Sequence, residues 1–251
     1  MKYSITVAAL LAGFVVAAPA TKLNAKQRLA QRHKNAARAS DEIYDVNWAG
    51  AALTGSDYTG VSATFPIPKP AVGTTGETSA SDFVASTWIG IDGYKCDNLW
   101  QAGVDSVIEK STGAVSYYAW YEWYPAETQV IDLGTLSAND VISINLTTSG
   151  YNKGTVVMDN KTTGKSFTKT VSSNQTLCGT SAEWIMEDLS IDSSELGLAN
   201  FGSVVFSDAV ATTSSSQVTP SGSQIFEIET TSKVILTKSS VTDNSVTVTY
   251  I

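Results

Sequence analysis

The sequence predicts an all-β protein made of two packed antiparallel sheets, a sandwich or jelly roll. Three observations carry this expectation. From residue 43 onward, runs rich in Val, Ile, Thr, Ser, Tyr and Trp alternate with turns rich in Gly, Asn, Asp and Ser. Only 29–38 and 193–200 read as helical, so strands follow one another without crossover helices. The third observation is YYAWYEWYP at 117–125, a strand that is aromatic on both faces. Alternation puts Tyr117, Ala119, Tyr121 and Trp123 on one face and Tyr118, Trp120, Glu122 and Tyr124 on the other. One face belongs between the sheets. The other, with its carboxylate, needs a different purpose.

The remaining strands follow the same logic. GVSATFPIP (60–68) alternates and then meets Pro66, Pro68 and Pro70, which end a strand because proline has no N–H for the ladder. WIGIDG (88–93) closes on Asp92-Gly93, a turn signal. DVISINLTT (140–148), GTVVMDN (154–160), GSVVFSDAV (202–210) and SVTVTYI (245–251) repeat the β-branched pattern. TTSSSQVTPSGSQ (212–224) reads as a loop by composition, and no internal repeat is visible.

The N-terminus is different in kind. Residues 1–20 carry Lys2, an apolar run and then small residues between Ala17 and Ala20, the build of a secretory signal peptide. That run is too short for a membrane span, and no later stretch approaches the length required. Residues 1–40 hold seven of the 16 basic residues and no acid, which leaves nine lysines against 24 acids in 41–251, a formal charge of −15. Residues 21–42 therefore read as a basic pro-segment, and 43–251 as one acidic domain that would repel polyanions such as nucleic acid. A secreted, extracellular protein is expected. Its two cysteines, Cys96 and Cys178, then form one disulfide, worth about 4–5 kcal/mol in the chain-entropy model. Sequons at Asn145, Asn160 and Asn174 fit the same compartment.

Elimination narrows the chemistry. The only histidine, His33, lies in the pro-segment, so the domain has no Ser-His-Asp triad, no Cys-His pair and no histidine-based zinc site. Carboxylates and amides remain. In LWQAGVD (99–105), Leu99, Gln101, Gly103 and Asp105 share one face, opposite Trp100, Ala102 and Val104. In AEWIMEDL (182–189), Glu183, Ile185, Glu187 and Leu189 alternate with Ala182, Trp184, Met186 and Asp188. Gln101 lies five residues after Cys96 and Glu187 nine after Cys178. If both segments leave the bridge as neighbouring strands, with the extra residues in a turn at Gly179, the two side chains can meet. The plainer readings stay open at this point: an isolated strand Gln or Glu is usually a solvated surface residue, and an aromatic strand is usually core.

Five blocks now add a resemblance: NWAGA (47–51), WIGIDG, LWQAGVD, AWYEWYP (119–125) and AEWIMEDL. In this order, and with this cysteine pair, the chain resembles the eqolisins, acid-active glutamic peptidases secreted by fungi. The resemblance covers the chain from about residue 43. It implies a concanavalin-like sandwich with an open groove on its concave side. It implies a catalytic pair, Gln101 and Glu187, and a substrate cleft lined by Trp48, Trp88, Asp92, Asp105, Trp120, Glu122 and Tyr124. It also implies a monomer acting on protein or peptide substrates, insensitive to pepstatin, with no metal and no cofactor. The family usually has Asp where this chain has Tyr118, which bears on subsite preference and leaves the pair intact. On this reading Glu187 is a general base, and an unperturbed Glu titrates near ~4.3. The alternatives are a glycosidase using Glu122 and Glu187 across a sugar groove, and a non-catalytic lectin. The basic pro-segment would act as an inhibitor, covering the acidic groove at neutral pH and leaving it in acid.

Overall fold

The computed structural model describes residues 42–75, 79–189 and 196–251, together with the backbone of Ala36–Ala37. The strands are, in order, β1 (Ala36–Ala37), β2 (Glu42–Asp45), β3 (Trp48–Thr54), β4 (Tyr58–Pro66), β5 (Asp82–Asp92) and β6 (Leu99–Glu109). Next come β7 (Val115–Tyr124), β8 (Gln129–Ile131), β9 (Val141–Ser149), β10 (Lys153–Asn160), β11 (Lys165–Ser172) and β12 (Ser181–Glu187). The last six are β13 (Leu196–Leu198), β14 (Ser203–Thr213), β15 (Gln217–Val218), β16 (Gln224–Ile228), β17 (Thr237–Val241) and β18 (Ser245–Tyr250). They form two sheets. The first runs β1-β2-β16-β3-β12-β5-β6-β7-β8, and the second β11-β10-β9-β4-β14-β18-β17. Most pairings are antiparallel, as the alternating, helix-free pattern requires; β2–β16 and β5–β13 are parallel.

Burial separates the sheets by role. In the second sheet, β9 alternates buried and exposed positions, so one face meets the core and the other meets water. In the first sheet, every residue of β12 is buried, as are ten of the eleven in β5. Its inner face packs on the second sheet through Ala49, Phe83, Ile89, Trp100, Val104, Trp123 and Trp184. Trp100 and Trp123 lie so close over Gly154 on β10 that a Cβ there would come within 2.7 Å of both rings. The Trp184 indole N–H crosses to the Ser62 carbonyl of β4 at 3.1 Å. Tyr117, Ala119, Tyr121 and Trp123 of β7 join this core, as alternation predicts.

Three sequence expectations change. Residues 196–198, read as helical, form β13 instead. β12 ends at Glu187, and Leu196, Gly197 and Leu198 take up the freed edge of β5 opposite Asp82, Phe83 and Val84. Pairing and the burial of two leucines override weak helical propensity there. The helical reading of 29–38 lies mostly outside the described residues, but Ala36–Ala37 pair as a strand with Ile43 and Tyr44. Within 212–224, Gln217–Val218 fold back on β14 as a short strand. The sequons also divide. Asn145 and Asn174 are exposed. Asn160 is buried, with its amide donating to Asp140 at 2.8 Å and its oxygen accepting from Thr162 and Thr163, which removes it as a glycan acceptor in the folded chain.

Candidate active site

The site is the outer face of the first sheet, and its register is a grid. One row across the strands reads Trp48, Glu187, Ser86, Asp105, Tyr118. The next same-face row reads Phe226, Gly50, Ile185, Trp88, Gly103, Trp120, Val130. The third reads Ala52, Glu183, Gly90, Gln101, Glu122. Each is a set of residues put on one face by strand alternation and aligned by strand pairing.

Indoles hold the carboxylates. Trp88 Nε1 donates to Glu187 Oε2 at 2.8 Å, and Trp48 Nε1 donates to Oε1 at 3.4 Å. Trp120 Nε1 and Ser86 Oγ both donate to Asp105 Oδ1, at 2.8 and 2.7 Å. Gln101 Nε2 donates to Glu122 Oε2 at 2.7 Å, which fixes the amide's orientation. Glu187 is 7 % exposed and Gln101 5 %, so both are nearly buried but keep contact with the surface. The middle row supplies the room. A Cβ on Gly103 would sit 2.5 Å from the Trp88 Cβ, so only glycine lets the Trp88 side chain lie there.

Local sequence sets these positions. Asp45 Oδ1 accepts from the backbone N–H groups of Asn47 and Trp48, at 2.7 and 3.0 Å, turning the chain into β3. Asn47 then clamps the end of β12: its side chain donates to the Asp188 carbonyl, and its own carbonyl accepts the Asp188 N–H at 2.7 Å. Trp48 is thereby held beside Glu187. The Cys96–Cys178 disulfide, with Cα atoms 6.0 Å apart, ties the β5–β6 turn to the segment entering β12.

The predicted residues do not all fall as spacing suggested. β6 and β12 both run away from the bridge, but they are not neighbours, because β5 lies between them. Gln101 and Glu187 sit in different rows, on a diagonal through Trp88, and each bonds to other partners. Trp48, Trp88, Asp105, Trp120, Glu122 and Tyr124 share the face. Asp92 has another engagement. Fully buried and with φ of 67°, its carboxylate accepts the N–H groups of Cys178, Gly179, Thr180 and Ser181 and the Thr180 hydroxyl, at 2.7 to 3.3 Å. Asp92, Cys96 and Cys178 are grouped closely enough for a metal, but the two sulfurs are bonded to each other and the carboxylate is taken up by the turn.

Several residues of the face were not singled out from sequence. Ser86 was open to discovery, lying two before Trp88 on the same alternation. Phe226 was not. It arrives from β16 to pack edge-on against Tyr94 with ring centroids 4.9 Å apart, closing one end of the face. Along the strands, beyond the Glu187 row, Leu189 and Leu196 pack with Val84, Val107 and Tyr118. Beside Leu189 and Leu196 the row from Trp48 through Glu187, Ser86 and Asp105 to Tyr118 crosses the strands, the floor along which a peptide channel would run.

Comparisons with known proteins agree with this fold. The model of the Peptidase A4 family matches residues 46–250. Aspergillopepsin-2 of Aspergillus niger is 39 % identical over 228 residues, covering 84 % of this chain and 80 % of its own length. Scytalidopepsin B of Scytalidium lignicola is 33 % identical over 219 residues, covering 85 % and 79 %. The crystal structure of scytalido-glutamic peptidase with a transition-state analogue inhibitor superposes with a TM-score of 0.70 at 31 % identity, over 82 % of this chain and 98 % of that one.

Proposed function

The chain belongs to the Peptidase A4 (eqolisin) family and is a glutamic peptidase, and from that premise we propose that Glu187 and Gln101 are its catalytic pair. The observation that carries this is Glu187 itself, an almost buried carboxylate on the channel floor with each oxygen facing an indole N–H. Each carboxylate oxygen accepts more than one hydrogen bond, so a water can still be held there. Glu187 takes a proton from that water as its oxygen attacks the scissile carbonyl carbon. The Gln101 amide has two N–H bonds; Glu122 takes one, and the other donates to the developing oxyanion. Such a donor is worth on the order of 3 kcal/mol. Protonated Glu187 then passes its proton to the leaving nitrogen as the C–N bond breaks. An amide beside Glu122 keeps its donor at every pH, whereas a carboxylic acid would lose it on ionising.

The relatives' names extend the reading to substrate and setting. One homologous structure holds a transition-state analogue and another the tripeptide Ala-Ile-His, which supports peptides as the occupants of this channel. Digestion of an unfolded protein in acid with pepstatin present tests the class, since that inhibitor is directed at paired aspartates. Continued cleavage is expected; complete inhibition would contradict the Gln/Glu pair. The chain is also proposed to be secreted and extracellular, with 1–20 as signal peptide and 21–42 as an inhibitory pro-segment. A synthetic 21–40 peptide should bind the mature protein more tightly at about pH 6 than at about pH 3.5, because carboxylates protonate in that interval while Lys and Arg stay charged. Binding indifferent to pH would remove the electrostatic clamp.

A further inference from the structure

The β7–β8 end of the channel has apolar side chains that the catalytic pair does not use. Tyr118 is cross-strand from Asp105, half-buried, and packs on the wall formed by Leu189, Val107 and Val84. Val130 is the channel-facing residue of β8, directly opposite Trp120, and is 55 % exposed. Its neighbour Ile131 points the other way, into the core, so the short strand is anchored and Val130 is held outward. A valine this exposed, beside the half-buried Tyr118, leaves apolar surface in contact with water at the β8 end of the face.

We propose that Tyr118 and Val130 form an apolar subsite that selects a large hydrophobic side chain of the peptide substrate, away from the scissile bond. The inference rests on the peptidase reading, and it adds the position and class of the selected residue. Glu187 and Tyr118 share one row across the strands, bounded along the strands by Leu189, Leu196, Val84 and Val107, so a peptide laid from one to the other beside that wall runs across the strands. From Glu187 on β12 to Tyr118 on β7 is three strand spacings, about 14 Å, and an extended peptide advances about 3.4 Å per residue. The selected side chain therefore lies about four or five residues from the bond that is cut. Trp120, directly opposite Val130, turns its N–H toward Asp105 on β6, away from the edge strand.

The test is cleavage-site profiling of a defined peptide library by mass spectrometry, with the wild type, Val130→Thr and the double variant Tyr118→Thr/Val130→Thr. Threonine keeps the β-branched shape that suits a strand, and Val130 is exposed enough for its replacement to leave the fold alone. The wild type should favour Leu, Ile, Val or Phe over Ser at one position four or five residues from the cut, by about tenfold or more in kcat/KM, the scale on which apolar pockets discriminate. The preference should shrink in Val130→Thr and vanish in the double variant, while preferences next to the scissile bond persist. A wild type indifferent at those positions, or a preference that survives the double variant, would overturn the subsite and leave the peptidase reading standing. Absence of any peptide cleavage by the wild type would instead overturn that reading, and the subsite with it.

Discussion

Two indole N–H groups decide what Glu187 is able to do. Trp88 is the closer donor, at 2.8 Å against 3.4 Å for Trp48, and it lies on the diagonal between Glu187 and Gln101. Trp88→Phe keeps an aromatic ring on the floor and removes the donor. A hydrogen bond to a charged group is worth about 1.5–3 kcal/mol, so kcat should fall by about 10–100-fold. A smaller change in KM is expected, since the lost contact is to the proposed base. Unaltered kcat in a folded Trp88→Phe variant would mean that the indole is only packing. At this scale much was legible in the sequence. Elimination of histidine and free thiol left carboxylates and amides, and the alternation of 117–125 assigned Glu122 to the outer face. What was not legible is who bonds to whom. Asp92 looked like a cleft residue, yet it gathers five donors from the turn at 178–181. Those donors lie more than 80 residues away, beyond the reach of any local pattern.

Strands carry the site, and glycines set how closely its layers lie. Gly103 on β6 sits between Trp88 on β5 and Trp120 on β7. Gly103→Ala would place a methyl group 2.3 Å from the Thr87 carbonyl oxygen and 2.5 Å from the Trp88 Cβ, so strand and indole must shift. Overpacking of this kind costs about 1–3 kcal/mol of stability. Because Trp88 also holds Glu187, turnover should fall by more than the lost folded population accounts for. Thermal unfolding and kcat measured on the same preparation decide it; a stability loss with unchanged kcat would contradict the link from Gly103 through Trp88 to Glu187. Period-two patterning revealed most of the strands that build this face, because each strand is long and half or wholly buried. It could not reveal that β5 separates β6 from β12. The spacing from Cys96 and Cys178 gave the direction of both strands correctly, but adjacency depends on pairings that link 82–92 to 181–187. β13 was hidden for a related reason: three residues become a strand only because an edge of β5 is waiting for them.

The whole molecule is a body rich in buried carboxylates, and that makes its stability depend on pH. Glu227 on β16 is the clearest case. Burial pushes its carboxyl above the ordinary value, against the opposing effect of donors from Ser239 and Thr237 and of nearby Lys238. A carboxyl with a raised folded-state pKa contributes stability that is fully present below its unfolded value, near ~4.3, and is lost as pH rises through the folded value. The Glu42–Lys238 pair works in the opposite direction, since hydrogen bonding to Lys238 lowers Glu42, but it is largely exposed and counts for little. Between about pH 4 and pH 7 the wild type should therefore lose more thermal stability than Glu227→Gln does. Parallel loss in the two proteins would show that Glu227 is not a source of the effect. The central claim, that Glu187 and Gln101 perform the hydrolysis, is tested most directly by turnover of an unfolded protein substrate in acid by Glu187→Gln and Gln101→Ala, each checked for wild-type thermal unfolding. Both are predicted to fold normally and to lose at least about 100-fold in kcat, the lower end of what a positioned acid–base group or oxyanion donor contributes. A folded Glu187→Gln protein that turns over substrate at a rate close to the wild type would contradict the account.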